Sequence, residues 1–205
     1  MFLDMKLEDF VDLVASDAPV PGGGSVSALI AGISAALLEM VSNLTIGRKK
    51  YEDYEEDVIK LRSEFIELRA KLLRLMEEDA SSYELVMKAY GLPKSTDEEK
   101  IERNNAIQEG LYGAALIPLE VAKTAMQGLE RVEEMLVKGN KNAYSDVKVA
   151  GVMLRSALYG ACYNVQINIE GIKNQDRVEE LKNAINELRQ RADFLEKRFI
   201  DFEVN

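Results

Sequence analysis

The sequence of 205 residues contains no histidine and a single cysteine. The absence of histidine removes the usual general base, the Ser-His-Asp and Cys-His catalytic arrangements and the commonest zinc ligand. The one cysteine, Cys162, excludes an internal disulfide, and its place inside a helical pattern favours a buried apolar role over a catalytic thiol. Any proton transfer must therefore use a carboxylate, a lysine, a tyrosine or bound water.

Positive charge is also scarce, because 26 Lys and Arg stand against 36 Asp and Glu and give a formal net charge of -10. Phosphate neutralisation requires a basic surface, so this balance argues against sequence-independent nucleic-acid binding. The N-terminus lacks a basic stretch followed by an apolar one, and the longest apolar run, residues 26–38, is too short to cross a bilayer. We expect a cytoplasmic protein that binds neither nucleic acid nor membranes.

Alternating apolar patterns bounded by turn signals are missing as well, whereas apolar residues recur at spacings of three and four nearly throughout. We predict an all-α fold, an elongated bundle of seven to eight helices in one domain over residues 1–205. Four prolines leave few breaks. Pro118 lies inside a helical pattern and predicts a kink or a new helix start, and the segment "STDEEK" predicts a capped helix start.

The segment "SVSALIAGISAALLEMVSNLT" predicts a central helix, because apolar or small residues occupy all of its faces. We place its N-cap at Ser25 and its end near Thr45, where Gly47 stops it. One bundle of this size does not cover such a helix fully, so we expect the chain to dimerise through helix faces. Glu39 is the one acid in this helix, and we expect it to pair with a cation.

Polar residues interrupt two otherwise apolar or small helix faces. On the segment predicted from Tyr51 to Tyr90, the inward stripe is apolar until Asp79. A buried carboxylate there needs a partner or a wet cavity, unless the stripe has already left the core and Asp79 is solvated. Asp146 and Asn164 interrupt a face of small residues on a later helix. That face fits a tight helix interface and a ligand pocket equally well.

Two features favour anion recognition. The residues Gly22, Gly23 and Gly24 precede the central helix, where free N–H groups and the positive dipole end are open to a ligand without a Cβ in the way. Lys49 and Lys50, in "GRKKY", add a local cluster of positive charge. The glycines match neither a P-loop nor a dinucleotide fingerprint, because no strand precedes them and the characteristic spacing is absent.

Three blocks resemble one known family. They are "PVPGGGSVSALIAGISAALLEMVSNLTIGRKKY", "EEDASSYELVMKAYGLPK" and "GNKNAYSDVKVAGVMLRSALYGACYNVQINI". In this order they resemble the cyclodeaminase/cyclohydrolase family, which comprises formimidoyltetrahydrofolate cyclodeaminases, including the C-terminal domain of the bifunctional formiminotransferase-cyclodeaminase, and methenyltetrahydrofolate cyclohydrolases. The resemblance covers nearly the whole chain. Arg48, where relatives commonly have lysine, and Glu39 depart from the pattern.

The resemblance implies an all-helical homodimer that acts on a folate, in the free-standing form of the enzyme and with no metal or separate cofactor. It implies conversion of 5-formiminotetrahydrofolate to 5,10-methenyltetrahydrofolate with release of ammonia, a step of one-carbon metabolism linked to histidine degradation. The nearest alternative is hydrolysis of 5,10-methenyltetrahydrofolate to the 10-formyl form. A non-catalytic helical dimer is a more distant alternative. A metal-dependent enzyme is not favoured, because no cluster of Asp and Glu at ligand spacing falls on one inward helix face.

Within this interpretation the departure of ammonia requires a general acid, and a histidine-free chain must supply a carboxylate. Asp79 is our candidate, since desolvation would raise its pKa to a useful range. Two further catalytic candidates, Asp146 and Asn164, are expected to orient the pterin or the attacking nitrogen. The candidates for substrate binding are Gly22, Gly23, Gly24, Ser25, Asn43, Lys49, Lys50 and Asn142. Among these, Lys49 and Lys50 are expected to attract the anionic, possibly polyglutamylated tail of the folate.

Overall fold

The computed structural model describes residues 1–203 as seven α-helices and three short 3₁₀ segments, with no strand in that range. The helices are α1 (Leu7–Val14), α2 (Gly23–Thr45), α3 (Glu55–Tyr90), α4 (Asp97–Leu129), α5 (Val132–Lys138), α6 (Tyr144–Ile169) and α7 (Gln175–Ile200). The 3₁₀ segments are Phe2–Asp4, Lys49–Tyr54 and Lys141–Ala143. The all-helical prediction is confirmed, and the helix count falls within the predicted range.

The central helix is α2, which packs along α3 on one side and α6 on the other. Its contact positions are small, and Ala28, Ala31 and Ala35 are fully buried or nearly so. Small side chains let neighbouring helices approach closely, which explains the composition of this segment. α2 ends at Thr45 as predicted, and Gly47 follows it with a φ of 74°, in the left-handed region that favours glycine.

The predicted N-cap of α2 is wrong. Gly22 is the N-cap, and Gly23 and Gly24 already belong to the first helical turn. Ser25 therefore lies inside the helix, where its hydroxyl turns to another helix. Gly22 has no side chain with which to cap the N–H groups of this turn, so those groups need partners from elsewhere.

α2 has the length and apolarity to cross a membrane, and it is the one such helix in residues 1–203. The helix is longer than the apolar run of residues 26–38, because residues 23–25 precede this run and residues 39–45 follow it within α2. About half of it is buried by the rest of the chain. A central helix of a bundle needs the same composition, since protein surrounds it.

The length of α3 determines the shape of the bundle. It runs unbroken over 36 residues, which corresponds to about 54 Å at 1.5 Å per residue. The bundle is elongated along this helix. The predicted inward stripe is buried where it was expected, with Phe65 and Leu72 fully enclosed. Arg69 on α3 donates to Glu39 on α2 at 2.8 Å, so the acid in the central helix has the cationic partner that we expected.

α4 begins with the predicted cap. The Thr96 hydroxyl accepts from the backbone N–H of Glu99, and the Glu99 carboxylate accepts from the backbone N–H of Thr96. The helix then continues through Pro118 to Leu129. No new helix begins at Pro118 as one alternative predicted; the break comes later, before α5.

α6 packs against α2, α4 and α7. Cys162 lies on its buried side, and burial raises the pKa of the Cys162 thiol to about 11. The thiol is therefore protonated at neutral pH, which agrees with the apolar role predicted for it. A different face of α6 packs against α2 and supplies part of the site described below.

Candidate active site

The polar residues predicted at the start of α2, in α3 and in α6 meet around one cavity of about 340 Å³. The cavity lies where the first turn of α2, the last third of α3 and the C-terminal half of α6 come together, with α4 closing one side. Its polar lining comprises Gly22, Gly23, Gly24, Asp79, Ser82, Asn164 and Asn168. Four separate helices therefore build it, and two of them, α3 and α6, carry the interrupted faces seen in the sequence.

Asp79 lies directly against the first turn of α2. The Ser25 hydroxyl donates to Oδ2 of Asp79 at 2.9 Å, and Ser25 itself is fully buried. A Cβ on Gly24 would overlap the Asp79 carboxyl group. Glycine is required at this position because the carboxyl group occupies the space that a side chain would fill. Asp79 thus places a hydrogen-bond-accepting carboxyl group at the helix N-terminus, which has no capping side chain of its own.

This geometry corrects the role predicted for Gly24 and Ser25. We expected the backbone N–H groups of this turn to meet a ligand anion, but at Gly24 and Ser25 a carboxyl group of the chain itself lies there, whereas Gly22 and Gly23 line the cavity. Ser25 is fully enclosed and turned to Asp79. Its hydroxyl is used in the hydrogen bond to the Asp79 carboxyl group and is not available to bind the substrate.

Burial raises the pKa of Asp79, while hydrogen bonds from the Ser25 side chain and backbone act in the opposite direction. Desolvation is the largest cause, so the pKa lies above the usual range of an aspartate. Asp79 is half-buried and lines the cavity, which excludes the alternative of a fully solvated residue. A carboxyl group that keeps its proton to higher pH and faces a cavity can act as a general acid.

Two asparagines on α6, Asn164 and Asn168, line the same cavity as Asp79. The Asn164 amide donates to the carbonyl of Gly160 at 2.9 Å and lies against Gly23, where an added Cβ would come within 3.0 Å of its nitrogen. Asn168 follows one turn later and also lines the cavity. Asn164 was predicted from the sequence and Asn168 was not, although the spacing of four residues places both on one helix face.

The rest of the wall is apolar or aromatic. It consists of Pro19, Val20, Tyr83, Val86, Met87, Tyr90, Leu111, Ala114 and Ile167. The change of chemistry at Asp79 predicted a partner, a wet cavity or exposure to solvent for this end of the α3 stripe, and the structure shows that Asp79, Val86 and Tyr90 line a cavity. A mainly apolar cavity with a few converging polar groups is typical of a site for a ring-shaped organic ligand.

The other candidates lie at the opposite end of α2: Asn43, Lys49, Lys50, Asn142 and Asp146. α2 has 23 residues, so its ends are about 33 Å apart. The start of α6 joins this end, since the backbone N–H of Asn140 donates to the Thr45 hydroxyl at 2.9 Å.

Asp146 and Asn164 are 18 residues apart within α6, which corresponds to about 27 Å. Within one chain, the structure therefore does not bring this second group to the cavity. Over residues 1–203, no group of three or more Asp, Glu or Cys side chains is positioned to hold a metal ion.

Comparison with known proteins identifies relatives along nearly the whole chain. Residues 6–187 match the family described as formiminotransferase-cyclodeaminase. A methenyltetrahydrofolate cyclohydrolase of Methylorubrum extorquens is 38% identical over 185 residues, which cover 88% of this chain and 89% of that protein. The formimidoyltransferase-cyclodeaminase of Rattus norvegicus is 35% identical over 190 residues, which cover 93% of this chain but only 35% of that longer protein.

The fold also matches a solved structure. The crystal structure of formiminotetrahydrofolate cyclodeaminase from Thermotoga maritima aligns with a TM-score of 0.79 and 30% sequence identity, over 98% of this chain and 100% of that one. Proteins named for two different reactions are thus similar to this chain in sequence, and a solved cyclodeaminase shares its arrangement of helices.

Proposed function

This chain belongs to the formiminotransferase-cyclodeaminase family of folate one-carbon enzymes, and we propose that it converts 5-formiminotetrahydrofolate to 5,10-methenyltetrahydrofolate with release of ammonia. The observation that carries the proposal is the half-buried Asp79 carboxyl on the cavity wall, with its raised pKa. The full-length match to a solved cyclodeaminase supports it. We propose that the folate is the only organic molecule required and that no metal takes part.

The proposed reaction requires a proton at the departing nitrogen. N10 attacks the formimino carbon, a C–N10 bond forms, and the proton on N10 passes to the exocyclic nitrogen. That nitrogen is a poor leaving group until it receives a further proton. Asp79 supplies this proton, the C–N bond breaks with its electron pair going to ammonia, and the lone pair on N5 stabilises the methenyl cation. General acid catalysis of this kind typically contributes 10²- to 10⁴-fold in rate.

The groups around Asp79 support this role. The Ser25 hydroxyl stabilises the carboxylate that remains after proton transfer, since a hydrogen bond to an ionised acceptor is stronger than one to a neutral acceptor. Asn164 lies across the cavity, where it orients the pterin ring. The apolar and aromatic wall excludes water around the reacting carbon, which preserves the raised pKa of Asp79.

A cyclohydrolase is the second candidate, and the similarity to the Methylorubrum extorquens enzyme along nearly both full chains favours it. In that reaction water adds to the same carbon of 5,10-methenyltetrahydrofolate. The C–N5 bond then breaks as N5 receives a proton, which leaves the 10-formyl form. The same acid at the same carbon serves both reactions, so the lining residues alone do not separate them.

The candidate residues at the far end of α2, which include Lys49 and Lys50, need a partner chain to reach a cavity. α2 carries an uncovered apolar stripe in which Ile33, Met40 and Leu44 are exposed. We propose that a second copy of the chain covers this stripe around a two-fold axis perpendicular to α2. The two α2 helices then run antiparallel, so Lys49 and Lys50 of one chain lie near the cavity of the other, where they bind the glutamate tail. A cytoplasmic location remains our expectation.

An absorbance assay tests the reaction. The purified protein is offered 5-formiminotetrahydrofolate in one cuvette and 5,10-methenyltetrahydrofolate in another. A rise of methenyl absorbance in the first, with ammonia released, establishes the deaminase. An enzyme-dependent fall in the second alone establishes the cyclohydrolase. No change in either cuvette contradicts both candidates.

The same assay tests the acid. Asp79→Asn cannot donate a proton, so we expect the rate to fall by about 10²-fold or more. Asp12→Asn is the matched control, because Asp12 is exposed on α1 away from the cavity. Full activity of Asp79→Asn would remove Asp79 from the mechanism while leaving the family assignment intact.

A further inference from the structure

Asn168 has a fixed orientation in the cavity wall. Its amide nitrogen donates to two backbone carbonyls, that of Asn164 at 2.9 Å and that of Ala114 on α4 at 3.4 Å. An amide nitrogen carries two hydrogens, so both donors are used. Carbonyl oxygens only accept hydrogen bonds, so exchanging the nitrogen and oxygen positions of this amide would leave two acceptors facing an acceptor.

The orientation leaves Oδ1 of Asn168 as the group with a free hydrogen-bonding capacity. No donor to this atom exists among the hydrogen bonds of the described residues, and it is not one of their buried unsatisfied side-chain atoms. Asn168 lines the cavity. Its Oδ1 is thus an acceptor, presented on the same wall as Asn164.

Pro118 explains why the Ala114 carbonyl accepts this bond. In an α-helix the carbonyl of a residue accepts from the N–H four residues later, which for Ala114 is position 118. Proline has no N–H, so the Ala114 carbonyl has lost its helical partner. α4 nevertheless continues through Pro118, which is buried. The structure thus keeps a residue that is unfavourable inside a helix, one turn after a residue that lines the cavity.

We propose that Asn168 is a substrate-binding residue whose Oδ1 accepts a hydrogen bond from an N–H group of the pteridine ring, and that Pro118 is the positioning residue that fixes it. The reduced pteridine ring offers such donors at N3, at N8 and at its 2-amino group. The inference rests on the proposed folate substrate, and it adds a recognition role that neither candidate reaction requires. Asn168 and Pro118 act as one device, since the proline frees the carbonyl that orients the amide.

Two single variants, Asn168→Ala and Pro118→Ala, test the proposal. Asn168→Ala removes the acceptor, and we expect Kd for tetrahydrofolate and KM for the substrate to rise about threefold to tenfold, the range of one hydrogen bond. We expect kcat to stay within about twofold of wild type, because the bond forms equally in the ground and transition states. Tetrahydrofolate lacks the one-carbon unit, so its binding can be measured by calorimetry without turnover.

Pro118→Ala separates binding from folding. It restores an N–H at position 118 that competes with Asn168 for the Ala114 carbonyl, so we expect Tm to rise while Kd and KM rise as well. A variant that is more stable and binds more weakly cannot be explained by poor folding. Asn183→Ala on α7 and Pro93→Ala in the loop before α4 are the matched controls, because both residues are exposed. Both controls should bind as wild type does.

The double variant Asn168→Ala/Pro118→Ala completes the test. If both act through one acceptor, it binds no more weakly than Asn168→Ala alone. If Asn168 only satisfies the Ala114 carbonyl, both single variants will change Tm and keep wild-type Kd and KM, and the proposal is overturned. Wild type is measured first: a protein that neither binds tetrahydrofolate nor turns over either substrate contradicts the proposed function itself.

Discussion

Asp79 is held where its ionised form is disfavoured, and this gives the residue a signature in stability as well as in activity. An acid with a raised pKa binds more protons in the folded chain than in the unfolded chain, between its ordinary and its raised pKa. The free energy of unfolding therefore falls as pH rises through that window and is constant above it, as far as this group is concerned.

Asp79→Asn removes this penalty, so the variant should be more stable than wild type at pH 7 and no more stable at pH 3. We expect the Tm of the variant to exceed that of wild type at neutral pH and the difference to disappear toward pH 3. Thermal unfolding of both proteins across pH 3–7 measures it. A constant difference across that range would show that desolvation of the carboxylate is not what Asp79 contributes.

Gly24 is the second residue whose role follows from one contact. Gly24→Ala places a methyl group where the Asp79 carboxyl lies, so either the carboxyl group or the start of α2 must move. Overpacking of this kind costs about 1–3 kcal/mol, and we expect kcat to fall at least tenfold.

Gly22→Ala is the control for this change, because its Cβ would meet only the Pro19 carbonyl, at an ordinary 3.7 Å. It should keep most of the activity. Equal losses in the two variants would mean that the loop needs glycine for flexibility and not for the approach of Asp79. Steady-state rates of both variants make the distinction.

At the scale of the helices, sequence patterns predicted elements and failed at contacts between them. The three- and four-residue spacing predicted α2 and α3, and the change from apolar to acidic at Asp79 marked the point where a core face becomes a cavity wall. The contact of Ser25 with Asp79 joins positions 54 residues apart. No local pattern carries it, which is why the Ser25 hydroxyl was assigned to a cap and to the substrate.

Asn168 and the break after α4 were missed for a similar reason. Asn168 resembles any polar residue on a half-exposed helix face until α4 places the Ala114 carbonyl beside it. Pro118 predicted a break because an isolated helix bends or ends at proline. Here α4 packs against α3 and α6 and Pro118 itself is buried, and this tertiary packing keeps the helix continuous.

The capping box of α4 provides a test confined to one element. Thr96→Ala removes the hydroxyl that accepts from the Glu99 backbone, and such losses cost about 1 kcal/mol. We expect Tm to fall by roughly 2–4 °C while KM is unchanged, since the cap lies in the turn before α4 and outside the cavity. Ser95→Ala should leave Tm unchanged, because Ser95 bonds to Glu99 through its backbone. A change in KM would reveal coupling between this turn and the site.

At the scale of the whole molecule, the uncovered stripe on α2 should determine the oligomeric state. Ile33 is 44% exposed on a helix that is otherwise built for the interior. Ile33→Glu places a charge at the proposed interface, and we expect a monomer in analytical ultracentrifugation where wild type is a dimer. Ile101→Glu is the control, because Ile101 is 64% exposed near the start of α4, away from this stripe. A wild-type protein that sediments as a monomer would contradict the proposed interface.

The separation of Asp79 from Lys49 and Lys50 allows a test of whether one site is built from two chains. Neither Asp79→Asn nor Lys49→Ala/Lys50→Ala should turn over a polyglutamylated substrate well alone. In a mixed dimer, one of the two sites combines the intact Asp79 of the lysine variant with the intact lysines of the aspartate variant. Random mixing makes half of the dimers mixed, so about a quarter of wild-type activity should return when the variants are unfolded and refolded together.

The alternative arrangement gives a different result in the same experiment. If the tail and the acid were served by one chain, each mixed dimer would hold two defective sites and mixing would restore nothing. Monoglutamylated substrate provides the control, because it depends less on the lysines and the lysine variant should turn it over well without mixing. Recovery confined to the polyglutamylated substrate would therefore show that the second chain supplies the basic end of the site, and would explain why the polar residues of one chain lie about 33 Å apart along α2.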